Sequence, residues 1–314
     1  MVNYLIAMAV SASIYALMAL GLNIIWGMAG MVNLGLAGFF AVGAYTTALL
    51  TIKLHTPIAV GMAAGALAAS AVGVVVALIT VRLRGDYLAI VTLGFAESIR
   101  IVASNAIWLT NGTDGLSGIA GPYRGVISPE SFNLLYLAIV GTIVAVGYAL
   151  AERLRSAPFG RVLRAIRDDE QVAAVAGKHV TAFKTKAFAL GAGGLGLAGA
   201  LYGHYTSFIA PDIFVPLLTL YIKLALLTGG LGSNRGAVLG AFVIVFLLES
   251  TRFVIPLVPG LGLVQGAALR EFLIASLLIV MLRYKPGGLI PERLAKIPAP
   301  ETPAQPRGVP QETA

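Results

Sequence analysis

The sequence predicts an all-α polytopic integral membrane protein, and three observations carry that reading. Hydrophobic residues make up 58% of the chain and charged residues 11%, against roughly 25% charged in an ordinary soluble domain. No Asp, Glu, Lys or Arg occurs from Met1 to Ile52, nor from Leu54 to Val81, and each run exceeds the ~20 apolar residues that span a bilayer. The basic residues collect instead in one stretch, 152–186, which holds eight of the 22 Lys and Arg.

In chain order the apolar pattern gives about nine hydrophobic segments, eight to ten allowing for their boundaries: 4–26, 31–53, 57–81, 86–106, 132–151, 187–208, 213–229, 236–251 and 266–283. Tyr4 to Trp26 has no preceding positive region, so it reads as a retained span and not a signal peptide. Positive loops stay in the cytoplasm. Placing 152–186 there puts the N-terminus outside and the C-terminus inside, and sixteen Lys and Arg then fall on the cytoplasmic side. The second segment, rich in Gly, and the short seventh are the two expected to be broken or re-entrant. Such backbone is tolerated only where protein or a water-filled cavity covers it. Residues 1–285 form one transmembrane domain. The tail 286–314 is rich in Pro and is expected to be disordered in the cytoplasm.

Several function classes drop out. The net charge of +8 sits in short loops beside spans, so no nucleic-acid partner is expected. There is no cysteine, hence no thiol catalysis. His55, His179 and His204 are scattered without metal-ligand spacing, and no catalytic set or cofactor motif appears. Gly194-Leu-Gly196-Leu-Ala-Gly199 matches a dinucleotide fingerprint in form, but it lies inside a span with no strand before it. No phosphate-binding loop of the G-x-x-x-x-G-K-[ST] type occurs, so the chain has no ATPase site of that kind. G-x-x-x-G pairs at Gly61/Gly65, Gly199/Gly203 and Gly236/Gly240 suit close helix packing within the chain, or an interface with a second membrane subunit.

The charges left inside spans are the candidates for a substrate path. Glu97 lies ~16 Å beyond Asp86 along a helix, near the bilayer midplane. Arg100, three residues on, shares its face. Intramembrane charges mark functional paths by default, and this pair could balance the ammonium and carboxylate of a zwitterion. The bland alternative is an ion pair that locks two helices. Lys223 is the third candidate, with snorkelling to an interface as its bland reading. The polar, Gly-rich segment 104–131 falls outside and is either a docking surface for a ligand-delivery protein or a plain connection.

The blocks GLNIIWGMAGMVNLGLAGFFAVGAYTTALL, RGDYLAIVTLGFAESIR, LTNGTDGLSGI, APFGRVLRAIRDDEQVAAVAG, GLAGALYGHYTSFIAPDIF and GGLGSNRGAVLGA resemble, in order, those of the permease subunits of branched-chain amino acid ABC importers, within the LivM-like branch. The resemblance covers about Gly21 to Ile290. It departs at Asn234 to Ala237, where an apolar residue and Gly-Pro are usual, at Tyr221 and Ala174, which stand in often acidic positions, and at Lys223, usually apolar. It implies a multi-pass protein of a bacterial or archaeal plasma membrane. Its implied partners are a second homologous permease, two cytoplasmic ATPase subunits and an extracytoplasmic substrate-binding protein, with membrane lipid around them. Related systems carry urea or short amides, and a self-sufficient secondary transporter is the rival from another class. On the family reading, 152–186 couples to the ATPase. Arg161, Arg164 and Arg167 then form one helix face toward acidic groups of the ATPase, or toward anionic lipid heads. Asp168, Asp169 and Glu170 cap or open a short helix. The small apolar run around Ala173, ending at Gly177, enters a groove on the partner.

Overall fold

In lipid a backbone must satisfy its own polar groups, which leaves the helix as the only open-chain solution. The computed structural model describes residues 2–80, 82–83, 85–254 and 263–292, and most of the charge-free sequence among them is helical. Helix α1 (Val2–Leu22) runs on through a π-helical turn, Asn23–Met28. There follow α2 (Leu36–Lys53), α3 (Ile58–Thr80), α4 (Asp86–Asn105), the short α5 (Ile107–Thr110) and α6 (Pro129–Ser156). Two short helices, α7 (Pro158–Asp168) and α8 (Glu170–Val175), lead to α9 (Val180–Thr206), α10 (Pro216–Gly229), α11 (Asn234–Val254) and α12 (Leu263–Tyr284). Among the described residues seven helical segments are long and apolar enough to cross a membrane: 2–28, 36–53, 58–80, 86–105, 129–156, 211–229 and 234–251. Helix α9 has the length but dilutes its apolarity with glycines.

Those glycines make α9 the post around which the bundle packs. A Cβ on Gly191 would come within 2.6 Å of the Gly21 carbonyl on α1, and one on Gly196 within 2.9 Å of the Gly65 carbonyl on α3. Helices in lipid are held by such van der Waals contact, since lipid tails are as apolar as Leu. Gly65, Gly199, Gly236 and Gly240 of the G-x-x-x-G pairs all press against backbone of this same chain, which is the packing use of that motif.

The helices run between two ends. One, the basic end, gathers residues 82–83, Gly85, α7, α8 and the turn 230–233. The other carries the loop 106–128 and the connection 207–215. There β1 (Leu116–Ser117) pairs antiparallel with β2 (Phe208–Ile209). His204, fully buried, is held between Thr47 Oγ1 (3.0 Å) and the Ala120 carbonyl (2.6 Å), so it is a satisfied core residue. Arg124 lies 4.3 Å from the centroid of the Phe132 ring and donates to the Tyr205 carbonyl. Segment 106–128 is therefore tied to α9 and folded over this end.

Three boundaries differ from the sequence reading, each for a local reason. The second span starts at Leu36, because residues 29–35 are not helical. Helix α10 is 14 residues, with Pro216 at its start, or ~21 Å, and the 3-10 turn Pro211–Ile213 supplies the rest of that span. The tail does not lose structure at Pro286. Leu289 and Ile290 donate their backbone N–H groups to the carbonyls of Thr228 (2.9 Å) and Gly229 (2.8 Å), so residues 286–292 strap the end of α10 and offset carbonyls that the helix terminus leaves open. Residues 293–314 lie outside the described residues.

Candidate functional site

Helix α7 begins with Pro158 at its first position, where a missing N–H costs nothing. It buries Gly160, Leu163 and Ile166, one face at three-residue spacing, and Phe159 stacks on Phe183 of α9 at 5.3 Å. Gly160 lies against the backbone of Leu154 and Arg155, which lets α7 fold back on the end of α6. Asp169 caps α8, accepting from the N–H groups of Gln171 (2.8 Å) and Val172 (3.0 Å). Gly177, at φ +76°, ends that turn. Lys178 N–H reaches the Ala173 carbonyl (3.1 Å) and Gly177 N–H the Ala174 carbonyl (3.0 Å), the paired bonds of a glycine-terminated helix. Glu170 pairs with the buried Lys184 of α9 at 2.7 Å.

Two expectations for this segment are corrected. Arg161, Arg164 and Arg167 do not form one outward face. Arg161 is exposed and Arg164 half-buried, but Arg167 turns inward. Its Nη1 donates to the Gly27 carbonyl (2.5 Å) and pairs with Glu292 Oε2 (2.9 Å), while Nε reaches the exposed Asp168 (3.3 Å). Three-residue steps drift by about 60° each on a helix, which carries Arg167 round to the buried edge beside Ile166. Nor does Ala173 offer itself to a partner, being 4% exposed; the apolar side chains that stand out are Val172 and Val175, at 65% and 90%.

Arg167 therefore sits at a junction of four elements: α7, the end of the π-helical turn, residues 29–35, and the strap 286–292. A Cβ on Gly30 (φ +71°) would meet Arg167 Cγ at 2.9 Å, so only glycine fits there. A second network lies alongside. Asn23 Nδ2 donates to Asn234 Oδ1 (2.9 Å), and Asn23 Oδ1 accepts from Gly232 N–H (2.9 Å). Asn234 Nδ2 in turn donates to Glu152 (2.9 Å), which is ion-paired with Arg155. The sequence reading passed over Asn23 and Asn234 as site residues, although an Asn inside a charge-free run was a usable signal.

The structure brings Glu97 and Arg100 together as a side-on ion pair on α4, with side chains 36% and 28% exposed. Ile90 and Ile101, beside the pair on α4, are exposed apolar groups, so the pair stands on the outside of this chain. Lys223 is elsewhere. Its Nζ lies 5.2 Å from the centroid of the Trp26 ring, a cation–π contact, and among the described residues no hydrogen bond or ion pair joins it to Glu97 or Arg100.

The protein-family model described as the permease component of the branched-chain amino acid transport system matches residues 4–282. The chain belongs to that family. It is 30% identical over 305 residues, 90% of this chain and 69% of the relative, to the high-affinity branched-chain amino acid transport system permease protein LivM of Salmonella typhimurium. It is 31% identical to the probable LivM of Methanocaldococcus jannaschii, covering 89% of this chain and 91% of that one. The permease protein LivH of Salmonella typhimurium is 26% identical over 74% of this chain and 80% of its own. No solved structure matches at a significant level. With the membrane-length helices, this makes the chain a multi-pass membrane permease.

The junction makes a direct prediction. Arg167→Gln strands Glu292 and the Gly27 carbonyl in a half-buried site, at a cost of roughly 1–3 kcal/mol. Hydrogen exchange at Leu289 and Ile290 should then accelerate by at least about tenfold, since 1.4 kcal/mol is a factor of ten. Unchanged exchange there would show that the strap holds without the arginine.

Proposed function

We propose that this chain is one of two homologous permease subunits of an ATP-driven importer that carries branched-chain amino acids into the cell. Nine long helices, α1, α2, α3, α4, α6, α9, α10, α11 and α12, cross the bilayer, with the Val2 end outside and the basic end in the cytoplasm. Two ATPase subunits dock on the basic end and supply the energy, because the sequence holds no phosphate-binding loop of its own. A substrate-binding protein docks on the opposite end, where Trp108, Tyr123 and Val126 stand 80%, 69% and 82% exposed on the folded-over loop.

The observation that carries this reading, beside the family match, is the build of the basic end. Val172, Val175, Arg161 and Arg164 face outward for a partner. At the end of α7, Arg167 is locked to the break after α1. A push on α7 and α8 thus reaches the membrane interior through an ion pair and a hydrogen bond. The Glu97–Arg100 pair supports a second permease subunit. A charge pair a third exposed at mid-bilayer is costly against lipid and stays where protein or water covers it.

Fusions of a cytoplasm-sensing reporter after Gly177 should report cytoplasm and those after Gly118 the outside; the reverse would overturn the orientation. Reconstituted with its partners in vesicles, the importer should take up labelled leucine only with ATP. Val175→Asp should lower recovery of the ATPases with the chain by about tenfold, ~1.4 kcal/mol, while membrane insertion is unaffected. Glu97→Gln and Arg100→Gln should each slow uptake, and the double variant should be more stable than the two single losses add to, because neither charge is left alone. ATP-independent uptake by this chain alone would favour a secondary transporter.

A further inference from the structure

The break that the basic end grips also starts a helix inside the membrane. Helix α2 begins at Leu36, and its first turn is held at depth by two threonines. Leu34 N–H donates to Thr92 Oγ1 of α4 (3.0 Å), and Ala37 N–H to Thr219 Oγ1 of α10 (3.2 Å). Thr92 stands about 9 Å along α4 from its start at Asp86, and Thr219 about 15 Å along α10 from its end at Gly229, both well within a hydrocarbon core of ~30 Å. A helix N-terminus carries roughly half a positive charge. Here the first turn holds no acid and the cap, Gly35, has no side chain.

One buried side chain stands at that positive end, and a cation lies one helical turn from a threonine that holds it. Asn33 is 1% exposed, and its Oδ1 accepts from Gly35 N–H at 2.7 Å. That bond identifies which end of the amide is oxygen, so the donor Nδ2 is the other, and it has no partner. A buried amide donor without a partner is uncommon, and this one hangs at the cap of α2. Lys223 is the cation. It lies four residues after Thr219 on α10, hence on the same face one turn away. Among the described residues its only contact of this kind is the Trp26 ring. The helix end, the unpaired Asn33 Nδ2 and Lys223 thus lie on elements joined by the Ala37–Thr219 bond, and among the described residues no carboxylate is hydrogen-bonded or ion-paired to Asn33 or Lys223. Val32, Leu34 and Trp26 beside them are half-buried and apolar.

We propose that the start of α2 is the membrane site for the carboxylate of the transported amino acid, with Asn33 Nδ2 and Lys223 as its side-chain donors and Val32, Leu34 and Trp26 as apolar surface for the aliphatic part. This rests on the reading of the chain as an amino acid permease. The site is closed in this conformation, and the segment that closes it, residues 29–35, is the one packed against Arg167 at Gly30. Movement of α7 would open or shut the site directly.

The test is ATP-driven uptake of labelled leucine by the complete importer in vesicles, scored per assembled complex and alongside its ATP hydrolysis. If the unaltered complex hydrolyses ATP yet takes up no leucine, the amino acid reading fails, and the site with it. If it does take up leucine, Lys223→Gln should slow uptake by about tenfold while Lys223→Arg keeps at least about half, the range expected for a charge-assisted hydrogen bond. Asn33→Asp, which puts a negative charge where the carboxylate should lie, should slow uptake by more than about tenfold with assembly and ATP hydrolysis retained. Wild-type uptake by Lys223→Gln, or equal losses in Lys223→Gln and Lys223→Arg, would overturn the site while leaving the amino acid reading in place. Should Asn33→Asp fail to assemble, the Lys223 pair decides alone.

Discussion

A bilayer offers no water to the N–H and C=O groups that a broken helix releases, so every break must be satisfied by protein. In this chain the break between α1 and α2 is where that constraint acts hardest, and the surrounding elements are placed by it. Arg167 takes the Gly27 carbonyl at the end of the π-helical turn. Asn33, Thr92 and Thr219 take the N–H groups of Gly35, Leu34 and Ala37. α4, α7 and α10 must therefore converge on seven residues that are not themselves regular structure, and the glycines of α9, pressed on α1 and α3, leave them room to do so.

The same convergence gives a membrane permease a mechanical link. A cation that satisfies a helix-terminal carbonyl also draws on the helix dipole. Arg167 does this while paired to Glu292, so α7, the broken span and the C-terminal strap share one charge. The Asn23–Asn234–Glu152 chain ties the same π-helical turn to α11 and α6 through neutral amides. Such a network is stiff because each member's loss leaves another buried group without a partner.

Much of the fold was legible because lipid makes its demands in composition. Runs without charge became helices, the G-x-x-x-G glycines became close contacts, and Glu97 and Arg100 paired as their three-residue spacing required. The corrections came where tertiary contact decides. Arg161, Arg164 and Arg167 look equivalent in one dimension, yet only the last drifts to the buried edge and meets Glu292, 125 residues away. Pro286–Glu292 reads as tail because its order comes from carbonyls at the end of α10. Ala173 looked like a contact residue by size and is core by position. Asn33 and Asn23 drew no notice because an uncharged amide barely interrupts an apolar run, although in lipid it needs partners as surely as a charge does.

The central claim is that α7 and residues 29–35 move as one body. The chain has no cysteine, so spin labels can be attached at chosen positions without background from the chain itself. Distances should be measured by electron resonance in the assembled importer, with and without ATP, for one pair at Arg164 and Val32 and a second at Val32 and Leu67 on α3. The account predicts that the first distance stays fixed while the second changes. A first distance that changes while the second stays fixed would contradict it.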